Sequence, residues 1–127
     1  MSLTTIILLV LVLYVLQLFL QEVSRFGLNV TVLVGNRDNP PDMTAVAARL
    51  DRAKNNMMEA MPLFLALALL AMVKGVDTSS DVMNGAMLFL AMRVLFIPAY
   101  ASGLPWFRSI FWIAANVGLI MMALPLI

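Results

Sequence analysis

The sequence predicts an all-α fold: an integral membrane bundle of four spanning helices, forming a single domain over residues 1–127. Three observations predict it. Hydrophobic residues make up 63% of the chain, against roughly 45–50% in soluble domains, and so short a chain has no interior large enough to hide that surface from water. Charged residues are only 12%, about half the usual share, so the natural solvent is lipid. The apolar residues are also gathered into long runs separated by short polar breaks, each run long enough to cross a ~30 Å hydrocarbon layer as a helix.

The first run, residues 3–20, is apolar apart from Thr4, Thr5 and Gln17. A cleaved signal peptide is the competing reading, but no Lys or Arg precedes the run and no small-residue cleavage site follows it. The first helix is therefore expected over residues 3–27. Residues 22–44 form the longest polar segment, and periodicity leaves open whether residues 29–34 extend the helix or lie along the interface. Residues 35–42, with Pro40, Pro41 and four turn-prone polar side chains, break the chain clearly. The second helix is expected over residues 43–73, capped by Asp42 or Thr44 and kinked at Pro62.

A polar turn, residues 74–81, follows. Ser79 or Ser80 then caps a third helix over residues 81–99, which carries Arg93 inside an apolar run. Pro98, Gly103 and Pro105 punctuate the next connection, which contains Tyr100 and Ser102. The fourth helix is expected over residues 106–127, with Trp106, Trp112 and Arg108 as an interfacial belt and Asn116 as an interhelical hydrogen-bonding group.

Four spans put both termini on one side. Arg25, Arg37, Arg49, Arg52 and Lys54 flank the first loop and Arg108 the third, whereas the second has only Lys74. This asymmetry places the termini outward and the cation-rich end in the cytoplasm, as expected in a bacterial inner membrane. A net charge of +1 without a basic patch excludes nucleic acid as partner. The absence of Cys removes disulfides, thiolate metal sites and a cysteine nucleophile; the absence of His removes the usual metal ligand and neutral-pH base. No phosphate-binding loop, dinucleotide fingerprint or nucleophile elbow occurs.

The polar residues that enter the apolar runs are the candidate site. Arg49, Arg52, Asn56 and Glu59 follow one another at steps of 3, 4 and 3, which share one helix face. An acidic group near the bilayer centre costs on the order of 2.5–3.5 kcal/mol, so Glu59 must face protein or water. Glu59 fits a structural ion pair with Arg93; Arg93 fits equally a cation holding an anionic ligand. Tyr100 lies seven residues on, near two turns, and shares that face if the helix tolerates Pro98. Arg108 and Ser109 open the fourth helix, where free N–H groups and the dipole favour anions; a membrane anchor is the plainer role for Arg108. Together these groups suit a small zwitterionic or anionic ligand at the cytoplasmic surface, in a pocket that one short bundle closes only with a second copy.

The pattern Arg52-Ala-x-x-Asn56-x-x-Glu59-x-x-Pro62-x-Phe64 resembles the signature of the MAPEG family, membrane-associated proteins in eicosanoid and glutathione metabolism. Asn39-Pro-x-Asp42 resembles the loop before it, and Arg93, Tyr100, Arg108 and Ser109 follow in the family's order. The resemblance implies a homotrimer with glutathione bound between subunits near the cytoplasmic face. It implies that Arg52, Asn56, Glu59, Arg93 and Tyr100 bind glutathione. Arg108 and Ser109 would contact it at its thiol, Arg108 stabilising the thiolate, with Asp42 as a catalytic helper. Asn55 stands where several members carry a further arginine and Phe96 where some carry histidine. The expected function is a glutathione transferase or peroxidase acting on hydrophobic small molecules that partition from the bilayer. The alternative is a non-enzymatic scaffold, accessory subunit or lipid-binding protein of the same fold.

Overall fold

The computed structural model describes residues 1–27 and 44–127. Among these residues there are four α-helices, α1 (Leu3–Phe26), α2 (Ala45–Val73), α3 (Ser80–Ala101) and α4 (Pro105–Ala123), with a closing 3-10 turn at Leu124–Leu126. There is no strand among the described residues. All four helices are long and apolar enough to cross a membrane.

The helix ends follow local chemistry. Ser2 caps α1, its hydroxyl accepting the Thr5 N–H at 3.2 Å, and Gly27 stops the helix at φ 69°. Thr44 caps α2, accepting from the Ala47 N–H at 3.1 Å. Asp42, the other expected cap, lies outside the described residues, as do Arg37 and the break at residues 35–42. Pro62 stays inside α2, as Pro98 does inside α3. Proline removes only its own N–H; the Pro98 carbonyl still accepts the Ser102 N–H at 2.9 Å, and α3 runs two residues past the expected Ala99. Gly103, at φ 77°, then turns the chain, and Pro105 opens α4 with φ already fixed for a helix.

The core runs between the helices. Leu3, Ile6, Val10 and Leu13 of α1 belong to one buried cluster with Met57, Phe64 and Ala68 of α2, Phe89 of α3 and Met122 of α4, with α1 packed on α2 and α3, and α4 packed on α2 and α3. Phe64 and Phe89 stack with ring centroids 4.7 Å apart. Helices α3 and α4 make the tightest crossing, through Gly85 and Gly118. A Cβ on Gly85 would lie 2.5 Å from the Gly118 carbonyl oxygen, and one on Gly118 2.6 Å from that of Gly85. Such backbone approach is how helices associate when lipid offers no hydrophobic drive. The same α1 stripe that buries Leu3 to Leu13 also buries Gln17 and Gln21, whose polarity the sequence pattern had not placed in the interior.

At one end of the bundle Lys74 Nζ donates to the Leu126 carbonyl at 2.8 Å, fixing the closing turn. At the other end Arg49 reaches across to α3: its Nη1 donates to the Ala101 carbonyl at 3.3 Å and its guanidinium lies against Gly103. A cation at the free carbonyls of a helix C-terminus is electrostatically favoured. This contact ties the start of α2 to the turn that delivers α4, so three helix ends are held together where the candidate residues converge.

Candidate functional site

A cleft of about 210 Å³ opens between α2, α3 and α4 at the Arg49 end, lined by Asn56, Phe96, Tyr100, Arg108, Ser109 and Trp112. Each lining residue comes from helical spacing. Arg93, Phe96 and Tyr100 step by 3 and 4 along α3, and Arg108 and Trp112 by 4 along α4. The rings of Phe96 and Tyr100 meet edge to face at 5.3 Å. Around them gather three guanidinium groups: Arg93 4.4 Å from the Phe96 centroid, with Arg108 at 5.0 Å and Arg52 at 5.8 Å from the Tyr100 centroid.

Among the described residues, no carboxylate pairs with any of these three arginines. Arg93 is 1% exposed and its Nη1 donates to Asn56 Oδ1 at 2.6 Å, while its Nε and Nη2 are buried and have no hydrogen-bond partner among the described residues. The expected ion pair between Arg93 and Glu59 is therefore not the arrangement found. Glu59 lies one turn further along α2 and is exposed, whereas Arg93 points inward to Asn56.

Glu59 instead lines a second cleft, about 180 Å³, with Asn56, Ala60, Leu63, Trp112 and Asn116. A third, about 280 Å³ and mostly apolar, continues from Leu63 and Asn116 to Leu67, Leu119, Ile120 and Ala123. Shared residues make these one groove along α2 and α4: cationic at the Arg108 end, polar at Glu59, apolar below. Asn116 does not hydrogen-bond between helices as expected; its Nδ2 donates to the Trp112 carbonyl of its own helix at 2.8 Å.

Of the eight residues singled out from the sequence, Asn56, Tyr100, Arg108 and Ser109 line one cleft and Glu59 the adjoining one. Arg52 joins through the Tyr100 ring, Arg93 through Asn56 and Phe96, and Asp42 lies outside the described residues. Sequence reasoning did not place Phe96 and Trp112 in the site. The signal for both was present, because Phe96 sits between Arg93 and Tyr100 on their helix face and Trp112 one turn after Arg108.

Chemically, the cleft offers donors and cations. Arg108 stands in the first turn of α4, which has no acidic residue there. A cation next to the free N–H groups of a helix N-terminus adds positive potential to positive potential, an arrangement that calls for an anion. Among the described residues no cluster of His, Cys, Asp or Glu could hold a metal ion.

The sequence model of the MAPEG family matches residues 1–127, the whole chain. Comparison with curated proteins and with solved structures returned no match.

Proposed function

The chain belongs to the MAPEG family, and from that premise we propose that it is a membrane-bound, glutathione-dependent transferase or peroxidase acting on hydrophobic electrophiles. The observation that carries the reading is the arginine set around Tyr100, which no carboxylate neutralises among the described residues, with Arg108 and Ser109 in the cleft at the start of α4. Glutathione carries two carboxylates, an ammonium group and a thiol. Arg52 and Arg108 suit the carboxylates and the thiolate, Glu59 suits the ammonium, and the Asn56 amide and Tyr100 hydroxyl suit its peptide groups.

As substrate, glutathione supplies the nucleophilic sulfur. The Arg108 guanidinium and the N–H groups of α4 stabilise the thiolate relative to the thiol, so the proton is released to water. Sulfur then bonds to the electrophilic carbon of the second substrate, and the leaving group departs with the electron pair of the broken bond. The Ser109 hydroxyl, in the same cleft, donates to the sulfur. The apolar part of the groove, from Leu63 to Ala123, suits a second substrate arriving from the bilayer. Asp42 keeps the role of catalytic helper. The working unit is a homotrimer with its sites between subunits, opening to the cytoplasm.

A non-enzymatic scaffold or lipid-binding role is the second reading, favoured by Phe96, which brings an apolar ring to the cleft. Detergent-purified protein, glutathione and a chromogenic electrophile separate the two. Turnover that disappears in Arg108→Ala is the expected result. Absence of both turnover and a glutathione-dependent rise in thermal midpoint would leave the scaffold reading standing.

A further inference from the structure

Taking its ligand, but not its geometry, from the glutathione reading, we propose that Arg93 is a positioning residue that acts through Asn56. It locks the Asn56 side-chain amide so that the NH2 group faces the cleft. Arg93 is 1% exposed and is not among the residues lining any of the three parts of the groove. Asn56 lines two of them. What Arg93 contributes to a ligand must therefore pass through the 2.6 Å bond from its Nη1 to Asn56 Oδ1, formed between residues on different helices.

That bond has a direction. A guanidinium has donors and no acceptor, so it can hold only the carbonyl oxygen of the amide. Rotating the amide by half a turn would set Nδ2 against Nη1, donor facing donor, and lose a charge-assisted bond in a dry site. The guanidinium cannot easily follow, since the Phe96 ring covers it at 4.4 Å and Phe96 is itself held against Tyr100. Its Nε and Nη2 have no other hydrogen-bond partner, so Asn56 is the one acceptor it has among the described residues. With Oδ1 turned to Arg93, Asn56 presents its NH2 group to the cleft.

The wall at this point is then built of donors: the Asn56 NH2, the Arg108 guanidinium, and the Ser109 and Tyr100 hydroxyls, which can donate or accept. The ligand group that meets the Asn56 NH2 is an acceptor, a carboxylate or a peptide carbonyl. Arg93 thus sets specificity at a distance, with its charge spent on an amide and not on the ligand.

The test uses the full chain in lipid nanodiscs with 15N-labelled asparagine, the Asn56 side-chain amide being assigned by its loss in Asn56→Asp. The wild type is expected to show a shifted, slowly exchanging Asn56 NH2 pair. Arg93→Met should return it to the position and exchange rate of a free amide, and Arg93→Lys, which keeps one charged donor, should hold it. Glutathione affinity, by titration, should fall about tenfold in Arg93→Met, the size of one lost hydrogen bond, and recover mostly in Arg93→Lys. The thermal midpoint should not fall in step, because Arg93→Met also removes a buried cation that no carboxylate neutralises among the described residues, which offsets the lost bond to Asn56. An Asn56 amide signal unchanged in Arg93→Met would overturn the proposal, as would an affinity loss that only follows lost stability. A wild type that binds no glutathione would overturn the function proposed above, while the amide signal still decides this inference.

Discussion

Arg108 bears the most direct consequence at the scale of single residues. Its guanidinium lies 5.0 Å from the Tyr100 ring centroid and in the first turn of α4. A free cysteine thiol titrates at about 8.5, and a neighbouring cation with a helix N-terminus lowers that value by favouring the charged form. Arg108→Ala removes the cation, so the bound thiol titrates higher and less thiolate is present at neutral pH. Turnover near pH 7 should fall on the order of 10²-fold, the usual cost of one charge-stabilising donor. Part of the loss should return as the pH rises toward 9, and a pH–rate profile checks this; a variant profile parallel to the wild type would remove Arg108 from the thiolate. The sequence made Arg52, Asn56 and Glu59 legible as a stripe, because helical spacing alone puts them on one face. It did not make their partners legible. Glu59 and Arg93 carry opposite charges, and charge alone favours pairing them; one turn of α2 decides instead that Asn56 meets Arg93 and Glu59 faces outward.

Helix positions depend on contacts between backbones. The crossing of α3 and α4 at Gly85 and Gly118 leaves no room for a methyl group, since the Gly118 carbonyl oxygen lies 2.5 Å from where the Gly85 Cβ would be. Gly85→Ala should push the helices apart and cost roughly 1–3 kcal/mol, the range for overpacking, read as a lower thermal midpoint in detergent. Because α3 carries Tyr100 and α4 carries Arg108, the same change should weaken glutathione binding although Gly85 lies far from the cleft. An unchanged midpoint would mean the crossing is loose. Arg49→Ala should loosen the same pair from the other end, by freeing the Ala101 carbonyl and the turn at Gly103. The four helices were legible from apolar run length, and most of their ends to within two residues from Ser, Thr, Gly and Pro; the last helix stops at Ala123, short of the expected 127, where Pro125 closes it in a 3-10 turn. The crossing was not, because Gly85 and Gly118 are isolated glycines in apolar runs and nothing in either run names its neighbour.

Considered whole, the bundle wears its polar groove on the outside. Glu59 and Ser109 are exposed, next to exposed Met58, Leu63, Ile110 and Ile113. A carboxylate facing lipid costs on the order of 2.5–3.5 kcal/mol near the bilayer centre, so this face needs protein or water over it, and in the proposed trimer a second and third copy would supply that cover. Native mass spectrometry from mild detergent should therefore find a species at three times the 14.0 kDa chain mass; a monomer alone would leave Glu59 to water. The sequence suggests a second copy only through an incomplete pocket, since an outward polar side chain does not say what covers it. Sidedness is a separate matter, and the same chain allows it to be tested cleanly. Arg49, Arg52 and Arg108 gather at one end of the bundle and Lys74 marks the other, so the cationic end should face the cytoplasm. The protein has no cysteine, so single substitutions report without background. In intact bacterial cells a membrane-impermeant maleimide should label Thr78→Cys, in the turn beside Lys74, and leave Asn36→Cys unlabelled until the membrane is opened. The reverse pattern would turn the cleft outward, away from the cytoplasmic pool of reduced thiols that the proposed reaction draws on.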